Sequence, residues 1–234
     1  MNDWLQETRQ LDLSHPKLRI TAHKLTQARQ CLHQRAAAIH DFVRRMPFEA
    51  GTQSASLRAS EVLLRGRGDC HSKGVLFTGL CRAAGLPARL LMVRVRTRFL
   101  AGMLDAGPDT ITHAVGQVRF GERWVSTDGY VVDPLMFALA KRSLRENGMD
   151  SGWGIVLDAP GHWDGRSTCI QQFRGADVVE TLGTFADLDA YRAAGAPDGG
   201  RWLHDMKYAL GARLVNWRVG RMRRARTPGW PVAA

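Results

Sequence analysis

Residues 66–87 read GRGDCHSKGVLFTGLCRAAGLP, and this stretch decides the fold. Two glycines among basic residues at its start predict a turn. The residues after Cys70 then favour a helix that ends at Gly85, because glycine just past a helix and proline beyond it, here Pro87, are typical of a helix terminus. The chain is therefore expected to turn sharply and to begin a helix at Cys70.

Cys70 is the first candidate for a reactive residue because it occupies the start of that helix. A thiol there lies beside free backbone N–H groups and the positive end of the helix dipole, which favour the thiolate and lower the thiol pKa. A buried structural cysteine is the commoner alternative, and Cys81, in the apolar run that follows, fits that description better. The two thiols would lie about 16 Å apart along the helix, too far for a disulfide.

A histidine and an aspartate that could activate this thiol lie on a predicted β-hairpin. Two strand-like runs over 112–128 are separated by Gly121 and Glu122, and glycine first in a two-residue loop suits a hairpin turn. Pairing across the turn places His113 and Asp128 on one face of the sheet. They would be diagonal neighbours with Cβ atoms less than about 8 Å apart, which permits an imidazole–carboxylate hydrogen bond.

Asp133 is the alternative carboxylate. It falls on the opposite face of the sheet if the strand register continues. It also precedes Pro134 as the N-cap of a predicted helix that ends near Asn147 and Gly148. This pattern favours Asp128 as the residue that orients the histidine.

The remaining elements follow from periodicity and turn residues. Apolar residues recur every three or four positions over 22–46 and predict one amphipathic helix that ends before Pro47. Residues 93–99 alternate strictly and predict a strand with three arginines on one face, turned to water rather than to an acidic ligand. Residues 149–183 predict loops with short strands, and residues 184–187 are close to a capping box that opens a further helix.

The composition indicates a folded protein without a membrane-spanning segment. Of the 234 residues, 44% are hydrophobic and 24% are charged, and no run of 18 apolar residues occurs. The N-terminal residues are mixed and acidic, unlike a signal peptide, so we expect a cytoplasmic protein. The four cysteines form no CxxC pair, which predicts reduced thiols with neither a metal site nor a cofactor.

Most of the net charge of +11 lies near the C-terminus, where eight basic residues and one acid between residues 201 and 226 give +7. The linker at 195–200 predicts a domain of residues 1–200 followed by a basic helix and tail over 201–234. A helix docked on the domain is predicted through the apolar residues Leu203, Met206, Leu210, Leu214 and Trp217. The later arginines predict a solvated tail, with contact to an acidic membrane surface or RNA as the alternative.

Four motifs, in the order found here, resemble the transglutaminase-like superfamily, which is related to the papain-like cysteine peptidases. They are GRGDC at 66–70, RAAGLPAR at 82–89, HA at 113–114 and GERWVSTD at 121–128. The resemblance covers residues 20–134. It implies an α+β fold in which N-terminal helices, with the nucleophile at a helix start, pack on an antiparallel sheet and are followed by a C-terminal helical extension.

The sequence departs from the family pattern at two positions. Val115 follows His-Ala where the family often has tryptophan, and Gly129 follows Asp128 where it often has proline. These changes keep the three candidate residues but leave the substrate groove undefined. The 22 acidic residues are scattered, so the chain resembles the bacterial, calcium-independent type and no calcium activation is expected.

By this resemblance Cys70 is the nucleophile, His113 the base and later the acid, and Asp128 the residue that orients the imidazole. Such a triad forms a thioester in a hydrolase or acyltransferase that acts on an amide bond of a peptide or protein, whether as peptidase, amidase or transglutaminase. The alternative is a non-catalytic module that keeps the fold and binds a peptide or protein.

Further residues are assigned to the oxyanion pocket or the substrate groove. The backbone N–H of Cys70 and one further donor would hold the oxyanion. The candidates for this pocket and groove are Gln53, Asp69, Trp124 and Tyr130. His71 is expected to point about 100° away from Cys70 around the helix and to be a poor base. His162 and Asp164 are interpreted as structural.

Overall fold

The computed structural model describes residues 3–195 and 202–225, without the side chains of residue 3 and residues 202–209. Within these ranges the α-helices are α1 Pro16–Thr26, α2 Leu32–Arg45, α3 Ala59–Arg65, α4 Cys70–Ala83, α5 Pro134–Glu146, α6 Leu188–Ala193 and α7 Trp202–Arg224. The strands are β1 Ala88–Arg96, β2 Thr110–Phe120, β3 Arg123–Thr127, β4 Ser151–Gly152, β5 Ile155–Val156 and β6 Val178–Phe185.

Helix α4 lies at the centre of the fold and begins at Cys70, as predicted. It packs against α1, α2 and α3 on one side and against β1 and β2 on the other. Its side chains are buried almost all round, which is typical of a central helix. Gly79 permits the close approach of α3, because a Cβ at this position would stand 2.9 Å from the Cβ of Ala59. The α+β fold expected from the sequence, with helices packed on an antiparallel sheet, is confirmed.

The main sheet has the strand order β3-β2-β1-β6, and all of its strands pair antiparallel. The predicted hairpin is confirmed, since Phe120 pairs with Arg123 and Gly116 pairs with Thr127 across the Gly121 turn. Gly121 has a φ of 61°, a left-handed conformation that glycine adopts without strain. This hairpin fixes where residues 113 and 128 meet.

The single helix predicted over 22–46 is two helices. Helix α1 ends at Thr26, and α2 begins after Cys31, whose backbone is extended. Both helices bury apolar residues against α4, for example Leu18 and Ile39. The apolar period therefore continues across the break, and periodicity alone does not reveal where the chain bends.

Two strand predictions also needed correction. Strand β1 covers Ala88–Arg96, and the next residues, Thr97–Leu100, form a 3-10 helix that buries Phe99. Residues 178–185, predicted as loops with short strands up to 183 and as a helix start from 184, form β6, one strand of eight residues at the edge of the sheet. The true cap of α6 is Asp187, which accepts a hydrogen bond from the amide of Ala190 at 2.8 Å. The pairing of β6 with β1 is a tertiary contact that local turn residues do not encode.

A buried lysine ties α4 to the segment that follows the hairpin. Lys73 is fully buried, and its Nζ donates hydrogen bonds to the carbonyls of Met46, Tyr130 and Val131 at 2.5, 3.0 and 2.9 Å. The same segment leads into α5, whose cap Asp133 accepts from the amide of Met136 at 3.1 Å, as predicted. Lys73 therefore holds the chain just after Asp128 against the helix that carries Cys70.

The C-terminal helix α7 docks through a different face from the one predicted. Ala212, Val215 and Val219 are buried, whereas Leu214 and Trp217 are 39% and 54% exposed. Small side chains let the helix lie close to the body, which the larger residues of the predicted stripe would prevent. The stripe residues Leu203 and Met206 lie where side chains are not described. No helix in the described part of the chain is long and apolar enough to span a membrane.

The arginines after Trp217 belong to α7 and not to a solvated tail. Arg218 forms an ion pair with Asp105 and donates to the carbonyl of Gly102 at 3.1 Å. Arg223 forms an ion pair with the buried Asp133. Residues 196–200 of the linker predicted at 195–200 and the last basic residue, at 226, lie outside the described residues.

Candidate active site

Cys70 occupies the first position of α4, and its side chain is partly exposed. The cap Asp69 accepts hydrogen bonds from the amides of His71 and Ser72 at 3.1 and 3.2 Å, and its carbonyl accepts from the amide of Lys73 at 2.9 Å. The Cys70 amide has no such acceptor among the described residues. It is therefore free to donate to an oxyanion formed at the thiol.

His113 lies on β2 with its ring held in place from several sides. Its Nε2 lies 3.2 Å from Oδ2 of Asp128, and both side chains are fully buried. Phe99 and Phe173 contact the imidazole edge-on, with ring centroids 6.2 and 5.3 Å away. The predicted contact between His113 and Asp128 is therefore present, although strand pairing ends one residue earlier, at Thr127.

Asp128 is held in turn by the segment after the hairpin. Its Oδ1 accepts a hydrogen bond from the amide of Gln171 at 2.6 Å. The carboxylate therefore holds the Nε2 side of His113, and Nδ1 has no hydrogen-bond partner among the described residues. Hydrogen bonds between catalytic groups are often long before substrate binds, so a free Nδ1 beside the thiol is compatible with proton transfer.

The electrostatics of the site favour a thiolate at Cys70. Burial by itself raises the pKa of this thiol, but the nearby positive charges of His71 and His113 outweigh burial and lower the pKa to about 6. Burial by itself lowers the pKa of His113, whereas the Cys70 thiolate and Asp128 raise it to about 10. These shifts favour a thiolate at Cys70 and an imidazolium at His113 in the resting pair at neutral pH.

His71 contacts the thiol, so the expectation that it points away was wrong. Its Nδ1 lies 3.6 Å from Sγ of Cys70. No preceding helical turn restricts side chains at the start of a helix, which lets neighbouring residues approach each other there. Burial alone lowers the pKa of His71, but the Cys70 thiolate raises it to about 9. The thiol therefore has an imidazolium from its own helix in addition to the one from β2.

A cavity of about 630 Å³ opens beside Cys70, His113 and Asp69. The 3-10 helix and the loop after it form one wall, and α7 contributes Gly211, Ala212 and Val215 to another. Its volume lies within the range of small-molecule sites. Among the described residues, no group of three or more His, Cys, Asp or Glu side chains is placed to hold a metal ion.

Of the four residues predicted for the oxyanion pocket and groove, Asp69 lines the cavity and the other three do not. Asp69 lines the cavity, but its carboxylate is an acceptor that caps α4. Gln53 is exposed and does not line the cavity. Tyr130 is fully buried against Phe77, with ring centroids 4.7 Å apart, and is not part of the lining.

Trp124 likewise does not line the cavity. Its ring lies under the guanidinium of Arg89 at 3.8 Å and packs edge-on against Trp4. The hairpin sets which residues are neighbours along the sheet, but the helices and loops that cover the sheet decide which of them face the cavity. His162 is exposed, and Asp164 accepts from the amides of Arg166 and Ser167, in agreement with a structural role.

Gln172 was not found from the sequence although it lines the cavity. It is 3% exposed, and its Nε2 donates to the carbonyl of Gly154 at 3.0 Å, while Oε1 has no partner among the described residues. It lies in the irregular segment between β5 and β6, where no periodic pattern marks a functional residue. The double glutamine at 171–172 was the only available signal.

Comparison with known proteins finds a match to one family model. Residues 19–129 match the family model of the transglutaminase-like superfamily, Transglut_core. A crystal structure from Cytophaga hutchinsonii, provisionally assigned as a cysteine protease, is similar with a TM-score of 0.46 and 21% identity. That match covers 56% of this chain and 42% of the other, so it spans less than half of that protein. No curated protein matches the chain.

Proposed function

We propose that this protein is a hydrolase or acyltransferase that acts on an amide bond, because residues 19–129 match the family model of the transglutaminase-like superfamily, which supports a thiol-dependent enzyme. The observation that carries the proposal is the arrangement of His113 and Asp128 around the Cys70 thiol. Cys70 begins a buried helix, and its pKa is lowered to about 6. His113 is held through Nε2 by Asp128, with Nδ1 left for proton transfer.

The first half of the proposed reaction transfers an acyl group to Cys70. The thiolate attacks the amide carbonyl carbon, a C–S bond forms, and the oxyanion is held by the Cys70 amide. His113, as the imidazolium, donates its Nδ1 proton to the amide nitrogen. The C–N bond then breaks, the amine leaves, and a thioester remains on Cys70.

The second half returns the enzyme to its resting state. Water or an amine attacks the thioester carbonyl, and neutral His113 accepts a proton from that nucleophile. The C–S bond breaks and the thiolate forms again beside the imidazolium. Asp128 keeps the ring oriented throughout and stabilises its positive charge. A peptidase, an amidase and a transglutaminase share these steps and differ in the acceptor that reaches the thioester.

The test is acylation of Cys70 by an activated acyl donor. We expect p-nitrophenyl acetate to give a burst of p-nitrophenol and an acetyl group on Cys70 by peptide mass spectrometry. Cys70→Ala abolishes the burst, and His113→Ala slows it by about 100-fold or more. Hydroxylamine as a competing acceptor reports the partition between hydrolysis and transfer. If iodoacetamide modifies Cys70 but no ester acylates it, the non-catalytic binding module replaces the enzyme.

A second proposed role concerns the outer face of α7, which we propose binds an anionic lipid surface. Exposed arginines at 213, 221 and 224 flank the exposed side chains of Leu214 and Trp217, and we call these five residues the α7 stripe. Apolar side chains with arginines along one helix face fit the interface of an acidic membrane. Arg218 and Arg223 are excluded from the stripe because ion pairs already hold them.

Sedimentation with vesicles tests this role. We expect binding to vesicles that contain phosphatidylglycerol, loss of binding as salt increases, and no binding to pure phosphatidylcholine. Replacing the three stripe arginines with serine should abolish binding, whereas Arg19→Ser and Arg65→Ser, on other helices, should not. Binding to RNA instead of vesicles contradicts the proposal.

We also propose that this chemistry takes place in the cytoplasm, with residues 1–200 as the catalytic domain and residues 201–234 as the basic segment that follows it. All four cysteines are free thiols, which fits a reducing compartment. A nucleophilic thiol with a lowered pKa is readily oxidised, so such a compartment also protects the proposed function. Fractionation of cells that express the protein, with the thiol state read by mass-tagging, tests the location.

A further inference from the structure

The cavity beside Cys70 has walls that are almost entirely apolar. Besides the thiol, only Asp69, His113 and Gln172 among its described lining residues carry polar side chains. Its apolar walls include Phe48, Phe99, Met103, Leu104, Ile111 and Val215. A peptide-binding groove for a charged or strongly polar side chain would present free donors or acceptors along such walls.

Apart from Cys70 and His113, which carry out the proposed reaction, most polar groups in the cavity already have hydrogen-bond partners. Asp69 accepts hydrogen bonds from three donors of α4's first turn and from the amide of Gly51 at 3.2 Å. His113 is held by Asp128, and Gln172 donates to Gly154. The exception is Gln172 Oε1, which has no partner among the described residues and is an uncharged acceptor. Apart from the reacting Cys70–His113 pair, the described lining therefore has no charged side chain left to pair with a charged substrate.

We propose that this cavity binds the acyl chain of the substrate, and that the substrate is an amide of an aliphatic or aromatic carboxylic acid. This proposal rests on the proposed acyl transfer to Cys70, which places the carbonyl carbon at the thiol and the chain in the cavity. The chain then contacts lining residues such as Phe99, Met103 and Val215 of α7. Burial of each additional methylene then raises kcat/KM by up to about fourfold, until the cavity is full.

Helix α7 closes the cavity and is fastened to the body at several points. Asn216 donates to the carbonyl of Ala50 and accepts from its amide, both at 2.9 Å. The ion pair of Arg218 with Asp105 fixes the same helix to the opposite wall. These contacts make the cavity a permanent part of the folded chain.

Gly211 on α7 offers a direct way to fill the cavity. It lines the cavity, and a Cβ built at this position meets no heavy atom within 4 Å. A phenylalanine here therefore meets no clash at its Cβ, and its ring is expected to take up space at the cavity wall. The adjacent Leu210 is 63% exposed, so Leu210→Phe is a matched control on the same helix that adds a ring outside the cavity.

The experiment compares p-nitrophenyl esters of acetate, butanoate, hexanoate and octanoate, together with the glutarate half-ester as a charged analogue. We expect kcat/KM to rise at least 50-fold from acetate to hexanoate and the glutarate half-ester to be no better than acetate. Gly211→Phe should lower the hexanoate-to-acetate ratio at least tenfold, and Leu210→Phe should keep it. The proposal is overturned if the hexanoate-to-acetate ratio of kcat/KM is near one in the unmodified protein. It is also overturned if the kcat/KM of the glutarate half-ester equals that of the hexanoate ester.

A binding measurement separates this proposal from the proposed reaction. Cys70→Ala removes the chemistry but keeps the cavity, so octanamide should raise its melting temperature more than acetamide does, and Gly211→Phe should remove that difference. If no ester acylates Cys70 but octanamide binds, the proposed enzyme fails and the apolar ligand site stands. If esters acylate Cys70 without chain preference and octanamide does not bind, only the present proposal fails. A melting curve for Gly211→Phe alone shows whether the variant is folded.

Discussion

Iodoacetamide should alkylate Cys70 fastest, relative to an ordinary thiol, at acidic pH. The pKa of Cys70 is lowered from 9.0 to about 6. At pH 5 this gives about 900 times more thiolate than an ordinary thiol has, whereas at pH 7 the factor is about 90. A less basic thiolate is also a weaker nucleophile, by about 20-fold for three pKa units. The net advantage is therefore about 40-fold at pH 5 and about fourfold at pH 7.

The same reasoning predicts that at high pH Cys70 reacts more slowly than an ordinary thiol. By pH 9 an ordinary thiol is half ionised, so Cys70 should react about ten times more slowly than that thiol. The rate for Cys70 should rise through a midpoint near pH 6 and then stay level, because His71 and His113 keep their protons up to pKa values of about 9 and about 10. Peptide mass spectrometry follows each cysteine separately from pH 4.5 to 9.5. Cys169, whose pKa burial raises to about 11, should stay largely unmodified over this range, and an added small thiol is the ordinary reference.

Two variants measure how much each histidine contributes to the lowered pKa of Cys70. His71 is the larger electrostatic cause of the lowered Cys70 pKa, ahead of His113. Replacing either with asparagine should raise the midpoint by about one unit or more, and His71→Asn should raise it at least as far as His113→Asn. Only His113→Asn should slow acylation of Cys70 by about 100-fold or more. A rate for Cys70 that climbs mainly above pH 8 would refute the thiolate–imidazolium pair.

Three further perturbations test the structure around the site. Asp128→Asn should lower kcat at least about 100-fold and leave the melting temperature nearly unchanged, because the ring loses its orienting charge; an equal loss of stability and activity would contradict this role. Lys73→Met should lower the free energy of unfolding by about 3 kcal/mol in urea denaturation, since three buried carbonyls lose their donor; a change below about 0.5 kcal/mol would contradict its anchoring role. Asp69→Ala should cost about 1 kcal/mol through the lost cap, with Asp69→Ser restoring most of it; if serine does no better than alanine, capping is not the reason.

Local sequence determined the elements that carry the candidate site. The start of α4 follows from the glycine turn before Cys70, and its end follows from Gly85 and Pro87. Both ends are predictable because helix termini depend on the conformational limits of a few residues. The Gly121 turn fixed the register of the hairpin, since side chains alternate with a period of two along paired strands. Together they predicted that His113 and Asp128 would meet.

Only the tertiary structure decided what surrounds the thiol. His71 turns toward Cys70 although the helical angle separates them, and Gln172 reaches the cavity from an irregular segment. The face of α7 that docks consists of small residues rather than of the most hydrophobic ones, because the fit against the body decides which side is buried. A pattern of neighbours along the chain specifies helices, turns and register. The cavity and its apolar lining depend on segments more than 100 residues apart, whose packing no local pattern encodes.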